Sequence, residues 1–174
     1  MKLLQALIVS AIAFPAHAHG PTPQKTDQSA LIAATPDIVW KKLSEPCAIA
    51  SWHPDVADCK EVSPLKRTLT LKNGGIISEE VDEILPVEMS ISYRLGAESE
   101  VKALPVSSLT GRLKVVAEGS GSKVLWIARY YRADTTNEPP KGMDDAAAQL
   151  SVNAYVKSGL EGLAEGVGGA PVKK

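Results

Sequence analysis

Residues 143–168 read MDDAAAQLSVNAYVKSGLEGLAEGVG, and their apolar positions recur at a helical interval. Val152, Tyr155, Val156, Gly159, Leu160, Leu163 and Val167 fall at offsets of 0, 3, 4, 7, 8, 11 and 15, which is one continuous stripe on a long amphipathic helix. Such a stripe is stable only when another surface covers it. The partner of the right size is the apolar face of the strands that precede it, so the helix is expected to lie across a sheet.

In those strands the period drops to two. Val87, Met89, Ile91, Tyr93 and Leu95 alternate with Glu88, Ser90, Ser92 and Arg94, giving one dry face and one wet face. Leu113, Val115 and Ala117 alternate with Arg112, Lys114 and Glu118, and residues 124–131 form a denser run bearing Trp126. Asn73-Gly74 is a hairpin signal between 66–71 and 76–85, and Gly119-Ser120-Gly121-Ser122 joins the last two strands. The pattern predicts an antiparallel meander.

Further upstream, residues 29–34 read as a short strand ended by Thr35-Pro36. Thr35 as N-cap and Pro36 at the first helical position start a helix to about Leu43, with Ile38, Val39, Trp40 and Leu43 sharing a face. Residues 46–51 predict a second short helix, stopped at Trp52-His53-Pro54 because a residue before proline is pushed out of the helical region. The expected order is strand, two short helices, about six antiparallel strands and a long C-terminal helix, an α+β fold in one domain over residues 27–166.

The ends of the chain carry different information. Lys2, the apolar stretch 3–14 and Ala16-His17-Ala18 have the form of a secretory signal peptide over residues 1–18, cleaved after Ala18. Its apolar run is shorter than the roughly 20 residues of a membrane span, and no lipobox cysteine follows. The expected location is the periplasm, with a flexible leader over 19–26 and a flexible tail over 167–174.

Composition narrows the function further. The 174 residues carry 19 Lys and Arg against 20 Asp and Glu, a formal charge of −1, so no basic surface points to nucleic acid. Cys47 and Cys59 would meet an oxidising compartment, where a structural disulfide or two unpaired thiols are the expected states; a redox or metal-binding pair lacks the Cys-x-x-Cys spacing. No haem, zinc-protease, nucleophile-elbow or dinucleotide motif is present, so neither catalytic residues nor a cofactor is assigned. Cleavage before His19 would expose a copper-chelating N-terminus with His53 as its only further histidine, but the chain around it does not support that pairing, and no metal site is assigned.

Ile32-x-Ala34-x-Pro36-Asp37-x-Val39-Trp40, Trp52-His53-Pro54, Asn73-Gly74-Gly75, Tyr93-Arg94 and Leu104-Pro105-Val106 together resemble the polyketide cyclase and START-like superfamily. The resemblance spans roughly residues 27–165 and implies the helix-grip fold, a curved antiparallel sheet wrapped around a long C-terminal helix. Within it the chain looks similar to the periplasmic MxaD-type branch. That likeness implies a non-enzymatic accessory role in methanol oxidation, with methanol dehydrogenase and its cytochrome c as partners. A carrier of a small hydrophobic ligand and a cyclase or dehydrase are the other readings.

A curved sheet gripping a helix is expected to leave a cavity near its open end. Met89, Ile91, Tyr93, Leu113, Val115, Trp126 and Val152 are its candidate ligand-binding residues, with Trp52 and His53 at its mouth. Apart from Tyr93 the inward set is almost wholly apolar, which argues against an enzyme. The charge-rich stretch Glu79, Glu80, Asp82 and Glu83 reads as a solvated edge strand.

Overall fold

The computed structural model describes residues 20–168. The signal-peptide and cleavage expectations, and His19 of the copper pairing, lie outside the described residues, as does the tail beyond Gly168. The elements are β1 (Gln24–Ile32), α1 (Pro36–Ser44), α2 (Ile49–Trp52), β2 (Val56–Ser63), β3 (Lys66–Leu71), β4 (Ile76–Leu85), β5 (Ser90–Leu95), β6 (Val106–Glu118), β7 (Gly121–Arg132) and α3 (Asp145–Gly166). They form the helix-grip α+β fold: one seven-stranded antiparallel sheet in the order β1-β7-β6-β5-β4-β3-β2, with the C-terminal helix against its inner face.

The stripe on α3 packs as its spacing requires. Val152, Tyr155, Val156, Gly159, Leu160 and Leu163 are buried, and the helix leans on β1 and β7 and touches α2. Asp144 caps it, its carboxylate accepting from the Ala147 N–H at 2.8 Å, which satisfies one of the otherwise orphaned donors of the first turn. α3 covers the β1–β7 side, while α1 packs on β6 and β7 and α2 on β2 and α3. Cys47, between α1 and α2, is disulfide-bonded to Cys59 on β2, with Cα atoms 5.4 Å apart, so that corner is tied to the sheet edge.

Several boundaries differ from the sequence expectation. β1 begins at Gln24, inside the stretch expected to be leader, because Lys25 and Thr26 pair with Arg129 and Ala128 of β7. The Thr26 hydroxyl also bonds Tyr130 Oη and Asn153 Oδ1, both at 3.0 Å. Thr35 precedes α1, but its side chain makes no capping bond, and Ile38 is exposed while Val39 and Leu43 are buried. α2 runs Ile49–Trp52, so Trp52 closes the helix instead of following it.

Two departures affect the site. β5 starts at Ser90: Val87 is fully exposed in the preceding turn and Met89 adopts a positive φ of 49°, so the alternation beginning at Val87 does not extend the strand. β4 is an interior strand paired with β3 and β5, not an edge. A register shift between Val81 and Glu83 breaks the two-residue period, so Glu79 is buried while Glu83 is exposed.

Candidate functional site

Between the α1–α2 corner and the inner faces of β3–β6 lies a cavity of about 40 Å³, open to solvent at one end. Leu43, Leu65, Val81, Ile84, Ile91 and Leu113 supply apolar wall, and Trp52, Tyr93, Lys66 and Arg67 line it as well. The space is narrow because large side chains fill most of the grip. Trp126 is 1% exposed, and its indole N–H donates to Tyr93 Oη at 2.9 Å, joining β7 to β5 through the core. That bond is possible because Gly111, opposite Tyr93 on β6, has no side chain where the phenol ring lies.

Arg67 of β3 and Glu79 of β4 sit opposite each other in the register and form a buried ion pair, Nε and Nη2 reaching Glu79 Oε2 at 2.7 and 2.6 Å. Glu79 is 2% exposed. Burial works against the guanidinium charge, but the facing carboxylate outweighs it and Arg67 is held above its ordinary pKa. The remaining terminal nitrogen, Nη1, donates to the Pro46 carbonyl, which couples the pocket floor to the loop carrying Cys47.

Behind the cavity lies an aromatic cluster. His53 stacks on Tyr155 with ring centroids 4.2 Å apart and meets Trp126 edge-on at 6.0 Å; Trp52 meets Trp126 edge-on at 6.3 Å. The Asp55 backbone N–H donates to His53 Nδ1 at 3.2 Å, which puts the proton of the neutral ring on Nε2. Burial pushes the His53 pKa down to about 4 against the opposing pull of Asp55, and burial likewise pushes both the Tyr93 and Tyr155 phenols upward. Trp52 Nε1, His53 Nε2 and Tyr155 Oη are buried with no hydrogen-bond partner among the described residues.

The expected site residues therefore separate. Ile91, Tyr93, Leu113 and Trp52 line the cavity together. Val115, Trp126 and Val152 are core, each no more than 3% exposed, and Met89 is half-buried in the β4–β5 turn. Trp52 and His53 do not stand open at a mouth; they are 6% and 2% exposed, packed under α3. Arg67 and Glu79 are the polar groups the sequence reading missed. With His53 and Tyr155 they make the interior far less apolar than expected, which removes that argument against an enzyme. Among the described residues no group of three or more His, Cys, Asp and Glu is placed to hold a metal ion.

A family model described as polyketide cyclase/dehydrase and lipid transport matches residues 23–168. Among solved structures, the protein XoxI from Bacillus cereus is similar at 19% identity and a TM-score of 0.68, over 81% of this chain and 93% of that one. The Zhui aromatase/cyclase from Streptomyces sp. R1128 is similar at 14% identity and 0.64, over 84% and 94%. Norcoclaurine synthase from Thalictrum flavum, in complex with dopamine and hydroxybenzaldehyde, is similar at 13% identity and 0.64, over 93% and 95%. At such identities the likeness is one of fold. No curated protein matches the chain.

Proposed function

The chain belongs to the polyketide cyclase/dehydrase and lipid transport family, and from that premise we propose that it binds a small, mainly apolar molecule in the cavity between the α1–α2 corner and β3–β6. The observation that carries this is the cavity itself, a narrow, open-ended space with a mainly aliphatic wall and a few polar side chains in its lining. With the N-terminal leader expected to direct export, binding would take place in the periplasm. His53, Tyr155 and Glu79 add titratable groups to the same interior, so a ligand recovered as a cyclised isomer, or with one water lost, would identify turnover of the cyclase or dehydrase type.

The test is a titration of isotope-labelled protein with short aliphatic and aromatic compounds. Amide shifts should concentrate at Arg67, Ile91 and Leu113, and Leu113→Trp, which fills the space, should abolish them. Shifts absent for every compound, together with a bare-chain mass under native conditions, remove the reading.

A second reading, contact with a protein partner, is favoured by the exposed apolar side chains Val62, Leu65, Ile84 and Val87 around the β2–β3 and β4–β5 turns. The methanol dehydrogenase and cytochrome c pair is the proposed partner. Added protein should raise electron transfer between them while leaving dye-linked dehydrogenase activity unchanged, and Val87→Asp should abolish the gain. No change in rate at any ionic strength ends this reading.

A further inference from the structure

The outer face of the sheet, turned away from α3 and the cavity, has an uneven charge. On β1, β7 and β6 it carries five cations, Lys25, Arg112, Lys114, Lys123 and Arg129, against two carboxylates, Asp27 and Glu118, although the whole chain has a formal charge of −1. Leu125 and Ile127 lie at its centre, half-buried, and alternate along β7 with the inward Val124, Trp126 and Ala128. Lys114 and Arg112 are their register partners on β6, and Lys123 and Arg129 flank them on the same face of β7. The cations therefore frame an apolar centre.

The two halves of the outer face treat their cations differently. On the β3–β5 half, Lys66 is 2.9 Å from Glu98 and 3.7 Å from Glu80, and Arg94 is paired with Glu80 and Asp82. On the other half, among the described residues, only Arg129 has a close carboxylate, that of Asp27. Arg112 donates from Nε to Ser92 Oγ at 3.0 Å, but its Nη2 comes no nearer to Glu83 than 4.0 Å, so its terminal nitrogens keep free N–H groups. Lys25, Lys114 and Lys123 have no carboxylate within ion-pairing distance among the described residues. Thr110, Arg112, Ile127 and Arg129 also line an open groove of about 300 Å³.

We propose that the outer face of β1, β7 and β6 is the docking surface for a protein partner that presents carboxylates around an apolar side chain, with one carboxylate seated in the groove beside Arg112 and Thr110. The face lies across the sheet from the cavity and shares no residue with the turns at Val62, Leu65, Ile84 and Val87, so it stands independently of both readings above. An apolar centre with a charged rim is the make-up of a protein interface: the centre loses water on contact, while the rim steers the encounter and fixes its register. A nucleic acid would set phosphates against Leu125 and Ile127, and the small net excess of cations would release few counter-ions. A bilayer of anionic lipid is flat, whereas this sheet curves around α3, so its cations would not reach the lipid together.

The experiment titrates the isotope-labelled full chain with the capped hexapeptide Glu-Glu-Leu-Leu-Glu-Glu, its Lys-for-Glu and Ser-for-Leu counterparts, a short DNA duplex and phosphatidylglycerol vesicles. With the hexapeptide, amide shifts should fall on Arg112, Lys114, Leu125 and Ile127. Its binding should be roughly tenfold tighter than that of either counterpart and should weaken between about 50 and about 300 mM salt as screening grows. Lys114→Glu combined with Lys123→Glu should weaken it roughly tenfold, whereas the same change of charge on α1 and α3, Lys41→Glu combined with Lys157→Glu, should leave it within about twofold. If the first pair does not fold, Lys114→Gln with Lys123→Gln should weaken binding in the same direction. Shifts on other surfaces, equal binding of the Lys-for-Glu counterpart, or an equal loss in the control pair overturns the proposal. Tighter binding of DNA or vesicles also overturns it, by assigning the face to phosphate groups, and so does no binding by any probe.

Discussion

Glu79 shows what one residue can hide from a sequence reading. Its neighbours Glu80, Asp82 and Glu83 give the stretch the composition of a wetted strand, yet Glu79 faces inward in alternation with Ile77 and Val81, and the register shift after Val81 turns residue 83 out. Neither the shift nor the cross-strand partner Arg67 leaves a mark in local composition, so the pair was not legible. Its energetics are asymmetric: an ion pair taken out of water contributes little net stability, but losing one partner strands the other. Glu79→Ala should therefore cost about 3–5 kcal/mol, whereas Arg67→Met with Glu79→Leu should be close to neutral. Urea unfolding of the two variants checks this, and equal losses would show that the pair is not the cause. Gly111 is a second case. A Cβ there would collide with the Tyr93 ring, so Gly111→Ala should cost about 1–3 kcal/mol by overpacking and should disturb the Trp126–Tyr93 bond, seen as a shifted indole N–H resonance.

Secondary-structure elements were more legible where one pattern dominated. The α3 stripe, with six of its seven positions buried, needed only its own periodicity, and the two hairpin signals mark real turns, Gly74 taking the positive φ of 79° that the first requires. Edges of elements were not legible because tertiary contacts set them: β1 extends back to Gln24 through its pairing with β7, and β5 loses Val87 and Met89 to a turn. The docking of α3 on α2 rests on a close approach, since a Cβ on Gly162 would collide with the Trp52 carbonyl oxygen. Gly162→Ala should push the helix off that corner and lower the melting temperature. The Cys47–Cys59 bridge holds the same corner from the other side. Its sequence separation of 12 corresponds to about 3 kcal/mol in the chain-entropy account, so Cys47→Ala with Cys59→Ala should lower unfolding free energy by about that amount. A loss well under 1 kcal/mol would mean that the α1–α2 corner is held by packing alone.

At the scale of the whole molecule, His53 links the fold to pH. It sits where α2, α3 and β7 meet, stacked on Tyr155 and edge-on to Trp126, with Asp55 favouring its protonated form and Arg67 opposing it. The sequence marked Trp52-His53-Pro54 as unusual but could not show that the imidazole is sealed inside, because that depends on where α3 lands. Burial holds the folded pKa near 4, against 6.5 for an ordinary histidine, so the unfolded chain binds a proton over that interval while the folded chain does not. The contribution of His53 is therefore complete above pH 6.5, declines as pH falls toward 4, and levels off below it. At 1.36 kcal/mol per pKa unit the loss amounts to about 3 kcal/mol. The carboxylates with lowered pKa values, Asp27, Glu98, Glu100 and Asp134, start from ordinary values of 4.5 or less, so their contributions fall mostly below this window. His53→Phe keeps a ring between Tyr155 and Trp126 but cannot titrate. Subtracting its unfolding free energy from that of the wild type between pH 7 and pH 4 removes the groups common to both, and the difference should fall by about 3 kcal/mol as the solution is acidified. A flat difference would mean that the imidazole takes up its proton inside the fold, and the aromatic cluster would then have to be open to water.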